Sequence, residues 1–389
     1  MKKYSLEKFK ENKKNKKMIK STAIVIIIIV ALIFISLYLA HRGFRSFVDI
    51  YIFRKEILEE NANSITMDTE NLSLIYAYDN NLVVYSEGKV NFFNDEAKKT
   101  GSIEITLSKP IADSESNFLV LGDYDSQKLC LIKSNNLVWQ KDIEGKVSKV
   151  CVNKEGYVVA SITGNTYESI VMVFKPNGDL LFSNYLHNYV IDIDISQDSK
   201  FLAIAEIDNS NIMPITEVQM VSIDKAIKNA EDAKVNSYQT ENNDLLAGMK
   251  FQGKSKLICS FDKYIIKLTE KSCDRIYDIS DLTAYVDVNT RNGFIRIDKE
   301  KSSVFKSDYR LKVRKDKGTE KVYIIEGSIK ELVSKDDKIA LNTGDKVLFI
   351  KDNCWLSKRY ISTQEIKEVL VTKKIGVIIY RNKIAIIKL

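Results

Sequence analysis

IDIDISQDSKFLAIA, residues 191–205, holds a strand, a polar turn and a second strand in one short run. Isoleucine alternates with aspartate up to Ile195, Ser-Gln-Asp-Ser-Lys turns the chain, and 201–205 returns as a continuous apolar strand. The same order recurs in VCVNKEGYVVASI (150–162), IADSESNFLVLG (111–122) and ELVSKDDKIALNT (331–343). Looser copies are LIYAYDNNLVVYS (74–86), MKFQGKSKLICSF (249–261), YVDVNTRNGFIRID (285–298) and EVLVTKKIGVIIY (368–380). The apolar residues before the turns are Tyr78, Ala112, Val152, Ile195, Phe251, Val288, Val333 and Val371, at spacings of 34, 40, 43, 56, 37, 45 and 38 residues. A period near 42 suits a four-stranded propeller blade, a sheet that buries both faces against its neighbours and is unstable alone.

The rest of each period supplies two more strands. After 150–162 come 170–174, the turn Pro176-Asn177-Gly178-Asp179, and 180–184; proline and glycine provide the restricted and positive φ of that turn. The last copy ends one strand short, and Ser64-Ile65-Thr66-Met67-Asp68, just before the first copy, is placed to supply it. Such closure leaves no free sheet edge. The fold class predicted is an all-β, seven- or eight-bladed β-propeller, with eight preferred, over residues 65–389, preceded by one N-terminal transmembrane α-helix.

ISQDSKFLAIA resembles the turn-and-strand element of WD-type propellers, and NGDLLFSN and NNLVWQKD resemble outer strands of quinoprotein-like propellers. In layout and composition the chain also resembles an uncharacterised family of membrane-anchored β-propeller proteins from Gram-positive anaerobes. That resemblance implies a fold and a location and supplies no catalytic residues. The chain departs from pyrroloquinoline-quinone dehydrogenases in having no adjacent cysteines and only Trp139 and Trp355, and it lacks the dipeptides that mark true WD repeats.

Outward from the repeats, residues 21–40, STAIVIIIIVALIFISLYLA, carry no charge, and thirteen are Ile, Val, Leu or Phe. At roughly 0.3–0.6 kcal/mol apiece they favour insertion by several kcal/mol, and at about 1.5 Å per residue they match a hydrocarbon core of about 30 Å. Residues 1–20 hold nine lysines against Glu7 and Glu11, a net of +7 that equals the charge of the whole chain. Residues 21–389 are therefore neutral, so no nucleic-acid partner is expected. Lysine before the span places the N-terminus in the cytoplasm and the C-terminal domain outside. A cleaved signal peptide is the rival reading; an apolar run of twenty is long for one, and cleavage after Ala40 would set Tyr38 where a small residue is wanted. Residues 41–64, with Phe44, Phe47, Val48, Tyr51, Ile52 and Leu58 near helical spacing, are expected to form a juxtamembrane stalk helix.

Catalytic chemistry is tested by elimination. The only histidines are His41, at the membrane edge, and His187, expected as a solvated loop residue, so histidine-based catalysis has little to stand on. No zinc spacing and no phosphate-binding glycine loop occurs. Asp192 with Asp194 and Asp123 with Asp125 are pairs of the kind a glycosidase uses, read here as outward-facing strand and turn residues; Asp-x-Asp calcium binding lacks its glycine and third acid. Cys130, Cys151, Cys259, Cys273 and Cys354 read as mostly buried apolar residues, with Cys130–Cys151 the pair to examine for a disulfide. The 56-residue step between Ile195 and Phe251 contains an alanine-rich stretch, 222–234, expected as a short helix in a solvated loop or on a partner surface. No catalytic, cofactor-binding or metal-ligating residue is predicted. The expectation is a non-enzymatic scaffold, anchored in the cell membrane, that binds an envelope protein or glycan; a sensor signalling through the single helix and a carbohydrate-active enzyme are the alternatives.

Overall fold

A computed structural model describes residues 2–164, 166–210, 213–241, 243–300, 308–316 and 318–389. Two compact units divide near Glu56.

In the first unit a single helix runs Lys2–Ala40, and Lys20–Ala40 within it is long and apolar enough to cross a membrane. His41 caps the next helix, Arg42–Phe47, by accepting from Phe44 N at 3.2 Å, and a π-turn follows over Val48–Ile52. Buried Asp49 accepts from Tyr38 Oη at 2.8 Å and from Lys55 Nζ at 2.7 Å, folding the end of this unit back on itself. The expected stalk helix over 41–64 is thus realised only to Ile52. Glu56–Leu58 is a strand, Glu59–Asn61 a 3₁₀ turn and Asn63–Thr66 another strand. Sheet edges win these residues: both strands dock on blades, and pairing outweighs a helical spacing worth a few tenths of a kcal/mol per residue.

The second unit is the propeller. Among the described residues the strands form eight sheets, so the eight-bladed reading holds and the seven-bladed one does not. The first, innermost strands of blades 1 to 4 are Leu74–Tyr78, Pro110–Glu115, Lys146–Val152 and Tyr189–Ile195. Those of blades 5 to 8 are Leu246–Gln252, Thr283–Asp287, Glu331–Lys335 and Glu368–Val371. Blade 8 takes its outer strand from Asn63–Thr66, antiparallel to Lys383–Lys388 with Ile65 opposite Ile384, which closes the ring as expected. Blade 7 carries Glu56–Leu58 as an unforeseen fifth strand.

Middle strands are buried on both faces, as in Phe118–Asp123 and Ile375–Ile379, and sheet packs on sheet. The fit is close: a Cβ on Gly376 of blade 8 would lie 2.2 Å from the Phe349 ring of blade 7. Around the channel each blade also bonds to the next. Tyr78 Oη donates to Asn117 O (blades 1 and 2), Asp113 Oδ2 accepts from Val152 N at 2.9 Å (2 and 3), and Asn153 Nδ2 donates to Ser196 O at 3.0 Å (3 and 4). Asp194 Oδ2 accepts from Phe251 N at 2.5 Å (4 and 5), Gln252 Nε2 donates to Gly293 O at 2.6 Å (5 and 6), and Arg291 N donates to Asp336 O at 3.0 Å (6 and 7). Glu331 Oε2 accepts from Val369 N at 3.1 Å (7 and 8), and Thr372 Oγ1 donates to Asp79 O at 2.6 Å (8 and 1). The belt is complete, and it satisfies backbone groups that the sheets leave open.

The long step before Phe251 is used for structure. Strands Phe201–Asp208 and Ile215–Ser222 are extended, the helix is only Ile223–Ala226, and Ile223, Ala226 and Ala233 are buried in the core between blades 3 and 4. The expectation of a free loop fails there because its alanines are small enough to pack beneath the sheet.

Candidate functional site in the central channel

First strands of a propeller line its axis, so polar residues on them either bond to a neighbouring blade or face the channel. Two cavities lie along it. One, of about 690 Å³, opens among the turns between first and second strands and is walled by all eight blades, from Tyr76 and Ala77 on blade 1 to Leu370 and Val371 on blade 8. The other, of about 480 Å³, lies along the first strands of blades 2 to 6.

The smaller cavity is acidic. Asp113, Asp192, Asp194 and Asp287 face it, with Lys149 and Lys250. Asp194 and Asp192 therefore point into the channel, not outward as expected, because the innermost strand of a blade has no outer side. Asp194 is nearly inaccessible and fully engaged: Lys250 Nζ donates to Oδ1 at 2.7 Å and Phe251 N to Oδ2. Burial opposes the Lys250 charge, and the Asp194 and Asp113 carboxylates more than offset it, so its pKa stands well above the ordinary value. Among the described residues Asp192 accepts one hydrogen bond, from Ile193 N at 3.0 Å, and burial pushes its pKa up to about 6. Asp287 accepts from Asn289 N at 2.8 Å.

The larger cavity has the opposite balance. Lys154, Lys250, Lys254, Arg291 and Lys335 line it against Asp113, Glu115 and Asp336, over apolar surface from Tyr76, Phe251, Val333 and Leu370. Lys335 reaches across the ring from blade 7 to blade 2, donating to Ser114 O at 2.6 Å and Ser114 Oγ at 3.1 Å. Its ammonium lies 5.9 Å from the centre of the Tyr76 ring. Burial raises the Glu115 pKa and so favours its neutral form.

Other residues singled out from sequence lie elsewhere. Asp123 is buried and accepts from Ser108 N and Lys109 N at 2.8 and 2.6 Å, while Asp125 is an exposed turn residue paired with Lys146 at 2.9 Å. His187 is exposed beside the Tyr167 ring. Cys130, Cys151, Cys259 and Cys354 are buried free thiols, and Cys273 is exposed and free. Cys130 and Cys151 belong to different cores and form no disulfide. Sequence reading missed Lys250, Lys335 and Arg291. A signal existed: the residue before the apolar marker is Asp194, Lys250 and Asp287 in three successive copies, charge where a half-buried strand should be apolar.

Among solved structures, apo AztD from Citrobacter koseri is similar over 80% of this chain and 90% of its own, with 10% identity and a TM-score of 0.55. BamB from Moraxella catarrhalis is similar over 84% of this chain and 98% of its own, with 10% identity and a TM-score of 0.47. At such identity the likeness is one of fold. No curated protein matches the sequence. A family model does match residues 55–389, the propeller with its closing strands, and the chain belongs to that family of unknown function, DUF5711.

Proposed function

We propose that this chain is a single-pass, membrane-anchored propeller with its N-terminus in the cytoplasm and its propeller outside, acting without enzymatic chemistry as a binding scaffold for an envelope protein or glycan. The observation that carries the reading is the division of labour in the channel. Its carboxylates Asp113 and Asp194 are committed to neighbouring blades, whereas a cavity of about 690 Å³ stays open at the turn face. A rigid ring with an open mouth, whose Asp113 and Asp194 are engaged in holding blades together, suits binding better than hydrolysis. Retention of the anchor is supported by exposed Phe47, Tyr51, Ile52 and Phe53 soon after the span, aromatic and apolar groups of the kind that settle at a membrane interface.

Location and binding are tested separately. Cys273 is the exposed thiol, so a membrane-impermeant maleimide applied to intact cells should label it, and Cys273→Ser should abolish the labelling. Labelling only after lysis would overturn the orientation. Crosslinking of tagged full-length protein in intact cells should recover a specific envelope component; efficient crosslinking with none recovered would overturn the scaffold.

A second reading, a carbohydrate-active enzyme, is favoured by Asp192, whose pKa of about 6 suits a general acid. It requires that Asp192→Asn abolish hydrolysis of an envelope glycan; absence of any such hydrolysis by the wild-type protein removes it.

A further inference from the structure

We infer that the mouth ringed by the first-to-second strand turns is a binding site for a small organic anion, a phosphate or carboxylate carried on an apolar or ring-shaped body. This deepens the binding reading and rests on it. Three independent features converge on that class of ligand.

The first is uncommitted positive charge. Lys154, Lys254 and Arg291 come from three different blades, line the cavity, and make no side-chain hydrogen bond or ion pair among the described residues, although Arg291 is near enough to the Asp337 carboxylate to help hold its pKa down. Elsewhere on the propeller, lysines at blade turns and edges commonly find a carboxylate, as Lys374 finds Asp79 at 2.9 Å and Lys256 finds Asp316.

The second is a fixed cation deeper in the cavity. Lys335 uses two of its three protons on Ser114 O and Oγ, which holds the ammonium in place with one donor left for a ligand. A positioned donor of this kind strengthens an anionic contact relative to a freely moving surface lysine.

The third is the wall between the charges. Tyr76, Phe251, Val333 and Leu370 give apolar surface that inorganic phosphate alone would leave uncovered, and about 690 Å³ is within the usual range for a small-molecule site. Carboxylates on the wall offset part of this charge. Asp113, although it accepts from Val152 N, still acts on Lys250 and Lys335, and Asp336 adds to it, while burial drives Glu115 toward its neutral form; the five cations of the lining outnumber them.

The test is calorimetric titration of the full chain in phosphatidylcholine nanodiscs, with empty discs as the blank. Phenyl phosphate should bind more tightly than inorganic phosphate, and benzylammonium, the same ring with a positive charge, should not bind. Combined Lys254→Glu and Arg291→Glu should weaken phenyl phosphate at least about thirtyfold, reflecting two lost charge-assisted contacts. Lys228→Glu, on an exposed turn of blade 4, should leave the affinity unchanged. Raising salt across the physiological range should weaken the wild-type affinity and barely affect the double variant. Lys254→Gln with Arg291→Gln repeats the measurement should charge reversal prevent folding. The proposal is overturned if the variants bind phenyl phosphate like wild type, if benzylammonium binds as well, or if wild type shows no binding up to about 10 mM, an affinity below about 3 kcal/mol. Recovery of a crosslinked partner alongside any of those results would leave the scaffold standing and remove only the anionic mouth.

Discussion

The acidic stretch of the channel and its basic mouth contain similar numbers of charged groups and do opposite things with them. Along the first strands Asp113 accepts from the next blade, and Asp194 is saturated by Lys250 and Phe251 N. At the mouth Lys154, Lys254 and Arg291 are exposed and make no side-chain hydrogen bond or ion pair among the described residues. A buried charge is tolerated only with partners, so committed groups belong to the fold; a charge kept solvated beside a cavity adds nothing to folding and is available to a ligand. The two regions should therefore separate cleanly under mutation.

Asp194→Ala is the most disruptive change. It leaves Lys250 without its counter-ion and Phe251 N without an acceptor, and should lower the unfolding free energy by about 3–5 kcal/mol in denaturant titrations.

Glu59 sharpens the comparison from outside the channel. Just before the closing strand, its carboxylate accepts from Thr363 N at 2.6 Å, Thr363 Oγ1 at 2.8 Å, Gln364 Nε2 at 2.7 Å and Lys383 Nζ at 2.5 Å. Burial opposes the charge, but these donors, Lys383 foremost, bring its pKa down to about 2. A folded pKa below the unfolded value stabilises at neutral pH and is lost as pH falls, so Glu59→Gln should cost about 3 kcal/mol at pH 7. The difference from wild type should shrink between about pH 5 and pH 2.

Glu206 should move the other way. Burial and the neighbouring Glu217 push its pKa up to about 7, although Gln219 donates to it. The cost of ionising it therefore builds up as pH rises from the unfolded pKa, about 4.3, to about 7, and stays in full above that. Glu206→Gln should raise stability by about 3 kcal/mol at pH 8 and leave it nearly unchanged at pH 4, where wild type is itself neutral.

Much of this architecture was legible. The strand-turn-strand unit gave the blades, their period gave the number preferred, and the missing last strand pointed to the segment now seen as Asn63–Thr66. What was not legible depended on partners distant in sequence. Glu56–Leu58 has helical spacing and becomes a strand only because blade 7 offers an edge. Ile223, Ala226 and Ala233 sit in a stretch of charges and alanines, and only the packed sheets show them buried. The channel was hidden for a related reason: period-two alternation tells which residues share a face, but not that the inner strand of a ring has an axis on its open side. Alternation alone therefore makes Asp192 and Asp194 look outward-facing.

The separation of the two regions is tested most directly by comparing the unfolding free energies of Lys254→Gln with Arg291→Gln and of Asp194→Asn on the same full-length preparation. The double variant should stay within about 0.5 kcal/mol of wild type, while Asp194→Asn falls by at least about 1–3 kcal/mol. Equal losses in both would contradict the division, since the cations of the mouth would then be part of what holds the ring together.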